Sequence, residues 1–179
     1  MKVLLHICCA NCAIYPVKVL REENHQVHGY FFNHNIHPFQ EFQRRLATVK
    51  DYAGRVELEV LCREDYFLDE FLAQVARNPF LRCDYCYHSR LEATARTAVE
   101  QGCDAFSTTL LYSRYQQHET IRKHGEVLAR HYGLDFLYRD FRVGWREGIE
   151  TSKAMGLYRQ QYCGCIYSER DRYCPAKRA

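Results

Sequence analysis

At 179 residues the chain fits one domain with a sizeable core, and with 47% apolar and 26% charged residues it has the composition of an ordinary globular protein. No stretch approaches the length of a membrane span, and residues 2–7 are too short for a signal-peptide core before Cys8 and Cys9, which predicts a cytoplasmic protein with no membrane partner. Ten cysteines in a reducing compartment point to metal binding or redox chemistry and away from a disulfide framework.

In chain order, the apolar run Val3–Ile7 reads as a buried strand, followed by a helix over Ala13–Glu23. Val27–Asn33 reads as a second strand. A loop, Asn33–Pro38, leads to a helix over Phe39–Tyr52 with Gly54 as its C-terminal cap. Val56–Leu61 is expected as a third strand and Tyr66–Arg77 as a helix. Tyr87–Gln101 has Leu91, Ala95 and Ala98 at helical spacing and Gly102 as a stop. Asp104–Leu111 is expected as strand four, running into a polar segment, Tyr112–His118. A helix over Thr120–Tyr132, stopped by Gly133, precedes a short strand at Phe136–Tyr138. This alternation predicts an α/β fold: a layered parallel sheet with helices on both faces, in one domain. Ligands in such folds collect at the carboxyl ends of the strands, so the loops there are where metal-bearing residues belong.

Three groups of cysteines fall where that rule is useful: Cys8, Cys9 and Cys12; Cys83 and Cys86; Cys163 and Cys165. The first lies at the end of strand one and opens a helix, where the helix dipole and free N–H groups favour thiolate. The CxxC pair places two sulfurs on one side of a turn before the Tyr87–Gln101 helix. Gly164 lets the third segment bend sharply or approach a cofactor closely. A zinc ion or an iron–sulfur cluster takes four protein ligands, and these groups supply seven thiolates. Cys8 and Cys9, as neighbours in an extended segment, are expected to point to opposite sides and so to serve different metals. The inference is two nearby centres, one a cluster and one a single ion. Cys62 and Cys103 read as ordinary buried residues, and Cys174 is left without a role.

From Arg139 to the end, nine Lys/Arg face five acids, a net +4 that leaves −1 for the rest of the chain. Tyr158, Tyr162, Tyr167 and Tyr173 interleave this segment, 139–179, as expected of a surface that stacks bases and tracks a backbone.

Five ordered segments resemble the QueH family of epoxyqueuosine reductases. They are Leu4–Cys12, which is similar to the family's CCAPC element; Asn33–Pro38 with Glu41 and Arg45; Arg82–Tyr87 with Arg90 and Leu91; Phe106–Ser113; and Gln161–Ser168. Asn11, His34 and Arg114 stand where the family usually has proline, which bears on loop conformation and removes no cysteine. The resemblance implies a fold of the HUP/Rossmann-like type and the cobalamin-independent reduction of epoxyqueuosine in a tRNA anticodon stem–loop to queuosine. It also implies a 4Fe–4S cluster and a second, mononuclear iron.

Removal of an epoxide oxygen needs two electrons and two protons, so an external electron donor is expected. Cys83, Cys86 and Cys163, with Cys8 or Cys9, are expected to hold the cluster, and Cys12 and Cys165 to join in holding the ion. Tyr112, His37 and Asp140 are the candidate proton donors. Asn33, Asn35, Thr108, Thr109, Ser113 and Gln116 are the candidates for binding the modified base, with capping and turn duties as their competing use. Three rivals are weighed: a zinc-stabilised tRNA-binding module, an ATP-using tRNA-modifying enzyme of the thiolase type, and a thiol redox protein, for which the chain shows no thioredoxin-like order of elements. The ATP-using enzyme would carry a glycine-rich phosphate loop after strand one, where this chain has Cys-Cys-Ala-Asn-Cys.

Overall fold

The computed structural model describes residues 1–174; residues 175–179, which include Lys177 and Arg178 of the expected basic tail, lie outside it. β1 (Lys2–His6) has no polar side chain between Val3 and Leu5 and is buried on both faces, which suits the middle of a parallel sheet. It pairs in parallel with β2 (Gln26–Phe31) on one side and β4 (Ala105–Thr108) on the other. β3 (Val60–Cys62) lies beyond β2 and β5 (Asp135–Phe136) beyond β4, giving the order β3-β2-β1-β4-β5 with every pairing parallel. The order reverses at β1, so right-handed crossovers put helices on both faces and open a crevice between the carboxyl ends of β1 and β4.

The helices are α1 (Ala10–Glu22), α2 (Phe39–Arg55), α3 (Leu68–Val75), α4 (Arg82–Glu100), α5 (His118–Tyr132), α6 (Trp145–Ala154) and α7 (Ile166–Tyr173). α1 packs against α2 and α6, whereas α4 packs against β1, β4 and α5. Gly102 and Gly133 end α4 and α5 with φ of 60° and 66°, the left-handed conformation their positions in the sequence predict. No helix among the described residues is long and apolar enough to cross a membrane.

Several expected boundaries move. Gly54 does not cap α2: the helix runs on to Arg55, the chain reverses at Glu57 (φ 50°), and the strand expected over Val56–Leu61 shortens to Val60–Cys62. α4 begins at Arg82, five residues before the expected start, because a turn of 3-10 helix at Pro79–Leu81 leads straight into it. Cys83 and Cys86 are therefore in its first turns. The strand expected to reach Leu111 stops at Thr108, whose hydroxyl accepts a hydrogen bond from Leu110 N (3.1 Å) and starts a 3-10 turn over Thr109–Tyr112. Cys103 is buried as expected, Cys62 is half-buried and Cys174 exposed.

Candidate metal centre

His6 closes the carboxyl end of the sheet. Its Nδ1 meets Thr108 Oγ1 at 3.0 Å and its Nε2 meets the Phe32 carbonyl at 3.1 Å, so one buried ring ties the ends of β1, β4 and β2 together. Burial pushes its pKa down to about 3, which keeps the ring neutral. The next residues form the first thiol group. Cys9 is the N-cap of α1 with extended backbone, and the turn from strand into helix swings Cys8, Cys9 and Cys12 toward one point. Their Sγ atoms all lie within 4.8 Å of one another, with Cys8 and Cys9 at 3.9 Å. The expectation that Cys8 and Cys9 diverge is thus overturned. The alternation of side chains holds within a strand, and here the strand has already ended at His6.

Those spacings fit one metal ion. Tetrahedral ligands at about 2.3 Å from a metal sit roughly 3.8 Å apart, and three protein thiolates leave a fourth position open. The Cys8 pKa is held well below its ordinary value, first by the Cys12 and Cys9 S–H groups and then by the Thr109 hydroxyl at 3.3 Å. Burial drives Cys9 upward, and Cys12 is raised by its two thiol neighbours, so Cys8 is the first of the three to ionise. Gln160 closes the far side: its Nε2 lies 2.9 Å from Cys9 Sγ and 3.9 Å from Cys12 Sγ. The amide is oriented by Asn11, which donates to Gln160 Oε1 (2.8 Å) and to the Tyr158 carbonyl (2.9 Å) and accepts from Ser152. Asn11, at the position where a resembling chain would have proline, is what makes this network.

The second group is Cys83, Cys86, Cys163 and Cys165. Cys86 and Cys165 are buried together with Phe71 and Val75 in a small apolar cluster beneath α3. Burial pushes Cys86 up to about 12, with Cys163, Cys165 and Cys83 adding to the rise. No three of these sulfurs come within the 4.8 Å that unites the first group. Cys83 and Cys86 both feel the charges of Cys163 and Cys165, so these four thiols neighbour one another. Four thiols is the number of protein ligands that an iron–sulfur cluster takes.

The segment bearing Cys163 and Cys165 is strapped to the loop after β2. Arg45, buried and paired with Glu41 (2.7 Å), donates to the carbonyls of Cys163 (2.8 Å) and Tyr162 (3.0 Å). Gly164 has φ 152°, its carbonyl accepts from His37 N (2.9 Å), and a Cβ there would come within 3.2 Å of Asn35 Nδ2. A glycine between the two cysteines is thus required by the backbone, as its place in the sequence suggests.

Arg90 gives an independent test of whether this pocket takes an anionic group. Its guanidinium is fully buried, donates to the Cys86 carbonyl (3.1 Å) and Asn33 Oδ1 (3.4 Å), and leaves Nη2 without a partner. No carboxylate pairs with it among the described residues, and a buried cation without a counter-charge is costly. The nearest groups able to carry negative charge toward it are the sulfurs of Cys86, Cys163 and Cys8. Thiolate-bound metals in both groups would supply that countercharge.

The remaining candidates divide clearly. Of the candidates for binding the modified base, Thr109 Oγ1 faces Cys8 and Gln116 Nε2 lies 3.4 Å from Cys163 Sγ, so both stand beside the thiols. Asn33 donates to the Ile7 carbonyl (2.9 Å), Thr108 caps the 3-10 turn, and Ser113 accepts from Tyr115 N (3.3 Å). Asn35 is buried with Oδ1 unpartnered. His37 meets the His34 carbonyl through Nε2 (3.2 Å) and Ile166 N through Nδ1 (3.4 Å), and burial lowers its pKa to about 4. Asp140 is bound to Arg142 at 2.6 Å. Tyr112 is buried, donates to the Trp145 carbonyl (3.0 Å), and keeps its proton through burial and the nearby Cys12 and Cys9. Sequence reasoning missed Gln160 and the Arg90 countercharge. In the basic segment, Arg139, Arg142, Arg146 and Arg170 all pair with nearby acids.

Residues 3–171 match the family model described as Epoxyqueuosine reductase QueH. The chain is 38% identical to the epoxyqueuosine reductase QueH of Dehalococcoides mccartyi, over 96% of this chain and 94% of that protein. It is 33% identical to the one from Thermotoga maritima (93% and 89%) and 32% identical to the one from Streptococcus pyogenes (93% and 69%). Among solved structures, a predicted subunit of tRNA methyltransferase from Methanocaldococcus jannaschii is similar, with a TM-score of 0.57 at 10% identity. That match covers 86% of this chain and 74% of the other, and it shows the fold alone.

Proposed function

The chain belongs to the QueH family of epoxyqueuosine reductases, and from that premise we propose that it reduces the epoxide of epoxyqueuosine in a tRNA anticodon to the alkene of queuosine. The observations that support the reading further are the tight group of Cys8, Cys9 and Cys12 and the mutual neighbourhood of Cys83, Cys86, Cys163 and Cys165. Cys83, Cys86, Cys163 and Cys165 would hold a 4Fe–4S cluster, and Cys8, Cys9 and Cys12 a single iron. When bound, such a pair supplies electrons one at a time and an open, Lewis-acidic coordination position.

The chain's own residues do the rest. Arg90 stabilises negative charge shared between the two thiol groups, and Gln160 orients Cys9. Thr109 and Gln116 hold Cys8 and Cys163 by hydrogen bonds to sulfur. Tyr112, whose hydroxyl lies in the field of Cys9 and Cys12, is assigned proton delivery. The overall change takes up two electrons and two protons and releases water, with the electrons coming from an external donor. A tRNA substrate places the reaction in the cytoplasm.

The test is oxygen-free purification followed by iron and sulfide analysis and an assay on epoxyqueuosine-containing tRNA with a chemical reductant. The reading expects about four sulfides and about five irons per chain, as a cluster plus one ion requires, and queuosine as product. A colourless zinc protein without sulfide, inert toward that tRNA, would overturn it.

A further inference from the structure

The loop from β4 to α5 crosses between the two thiol groups. At one end Tyr112 lies in the field of Cys9 and Cys12; at the other Gln116 touches Cys163. Between them stand Arg114 and Tyr115, both exposed, with the Tyr115 ring 85% open to solvent. A single exposed aromatic is unremarkable on a protein surface. This one is not isolated. Trp145 meets it edge-on, with ring centroids 6.0 Å apart, and itself stacks on Tyr112 at 5.2 Å and 26°. The Arg114 guanidinium lies 5.5 Å from the Trp145 centroid. Neither Arg114 nor Arg159, whose charge also reaches Tyr112, forms an ion pair with a carboxylate among the described residues.

Open π-faces beside cations without carboxylate partners are the means by which proteins hold unpaired bases and their phosphates. The position matters as much as the chemistry, because a nucleotide whose base enters the crevice leaves its neighbours at this rim. We propose that Tyr115, backed by Trp145 and flanked by Arg114, stacks the unpaired nucleobase next to the target nucleotide of the anticodon loop. It thereby anchors the RNA while the target base turns inward. This deepens the tRNA-reductase reading and rests on it.

Trp145 is the chain's one tryptophan, so its fluorescence reports on this platform directly. The experiment titrates the metal-loaded protein, without reductant, with a synthetic anticodon stem–loop RNA that carries no epoxide. Binding is expected to change Trp145 emission. Loss of one stacked base weakens binding by roughly 5- to 150-fold, so Tyr115→Ala is expected to raise Kd about tenfold or more while Tyr115→Phe keeps it. An abasic site beside the target nucleotide is expected to weaken the parent protein equally and the Tyr115→Ala variant no further. Equal RNA affinity for the parent protein and Tyr115→Ala would overturn the proposal but leave the reductase reading intact. A Tyr115-dependent affinity in a protein that never reduces the epoxide would sustain the platform and sink the reductase reading.

Discussion

The two thiol groups share a crevice but are built in opposite ways. Cys8, Cys9 and Cys12 come from five consecutive residues where the central strand turns into α1, and the fold cannot form without placing them. Cys83, Cys86, Cys163 and Cys165 are drawn from two segments some eighty residues apart. Arg45, His37 and Gly164 are among the contacts that pin the later segment down beside the earlier one. A site made by local chain geometry is as robust as the sheet. A site made by a strap opens at the energy of the strap.

The largest effect that would sharpen this contrast is expected from Arg45→Ala. It leaves the buried Glu41 carboxylate with the Tyr158 hydroxyl but no counter-charge and frees two carbonyls of the strap, a loss of about 3 kcal/mol. The first group should survive it. Chemical denaturation should show the loss, and sulfide analysis should show a vanished cluster beside a retained single ion. Survival of the cluster would mean that the strap is held by something other than Arg45.

Tyr112→Phe is expected to lower turnover about a hundredfold, the lower range for a positioned general acid, with iron and sulfide unchanged. A steady-state assay checks the first and metal analysis the second. Unchanged turnover would remove Tyr112 from proton delivery. Gln160→Ala should weaken metal retention in the first group by roughly tenfold, as loss of a hydrogen bond to a ligand does, and leave the second group's sulfide content intact. Competition with a chelator reads that difference.

The smallest effect lies outside both groups. Arg142 holds the Asp140 pKa at about 2, below its ordinary 3.8, so the pair's contribution is complete above 3.8 and is lost as pH falls toward 2. Asp140 is 38% exposed, so Asp140→Asn should cost less than about 0.5 kcal/mol at neutral pH. The difference from the parent chain in denaturant midpoint should vanish below about pH 2.

Much of this architecture was legible in the sequence. The apolar runs at Val3–Ile7 and Val27–Asn33, the stops at Gly102 and Gly133 and the clustered cysteines carry the parallel sheet and its loaded end, because burial on both faces and helix termination are local properties. The convergence of Cys8 with Cys9 was not legible. It depends on where the strand stops, and one residue of difference reverses the side a cysteine faces. α6 and α7 escaped notice because their apolar faces are thin; Gly148 and Ser152 are the buried residues of α6, and α7 has none. Gln160 gave no signal at all, since an amide becomes a thiol partner only when 148 to 151 residues of chain fold back on themselves.

The most direct test of the central claim compares Cys8→Ser with Cys86→Ser, each purified without oxygen and analysed for iron, sulfide and visible absorbance. Cys8→Ser should keep about four sulfides and the brown colour of a cluster while losing about one iron, and Cys86→Ser should lose the sulfide and the colour. Loss of sulfide from Cys8→Ser, or its full retention in Cys86→Ser, would contradict the division of the seven thiols into a cluster of four and a single-ion site of three.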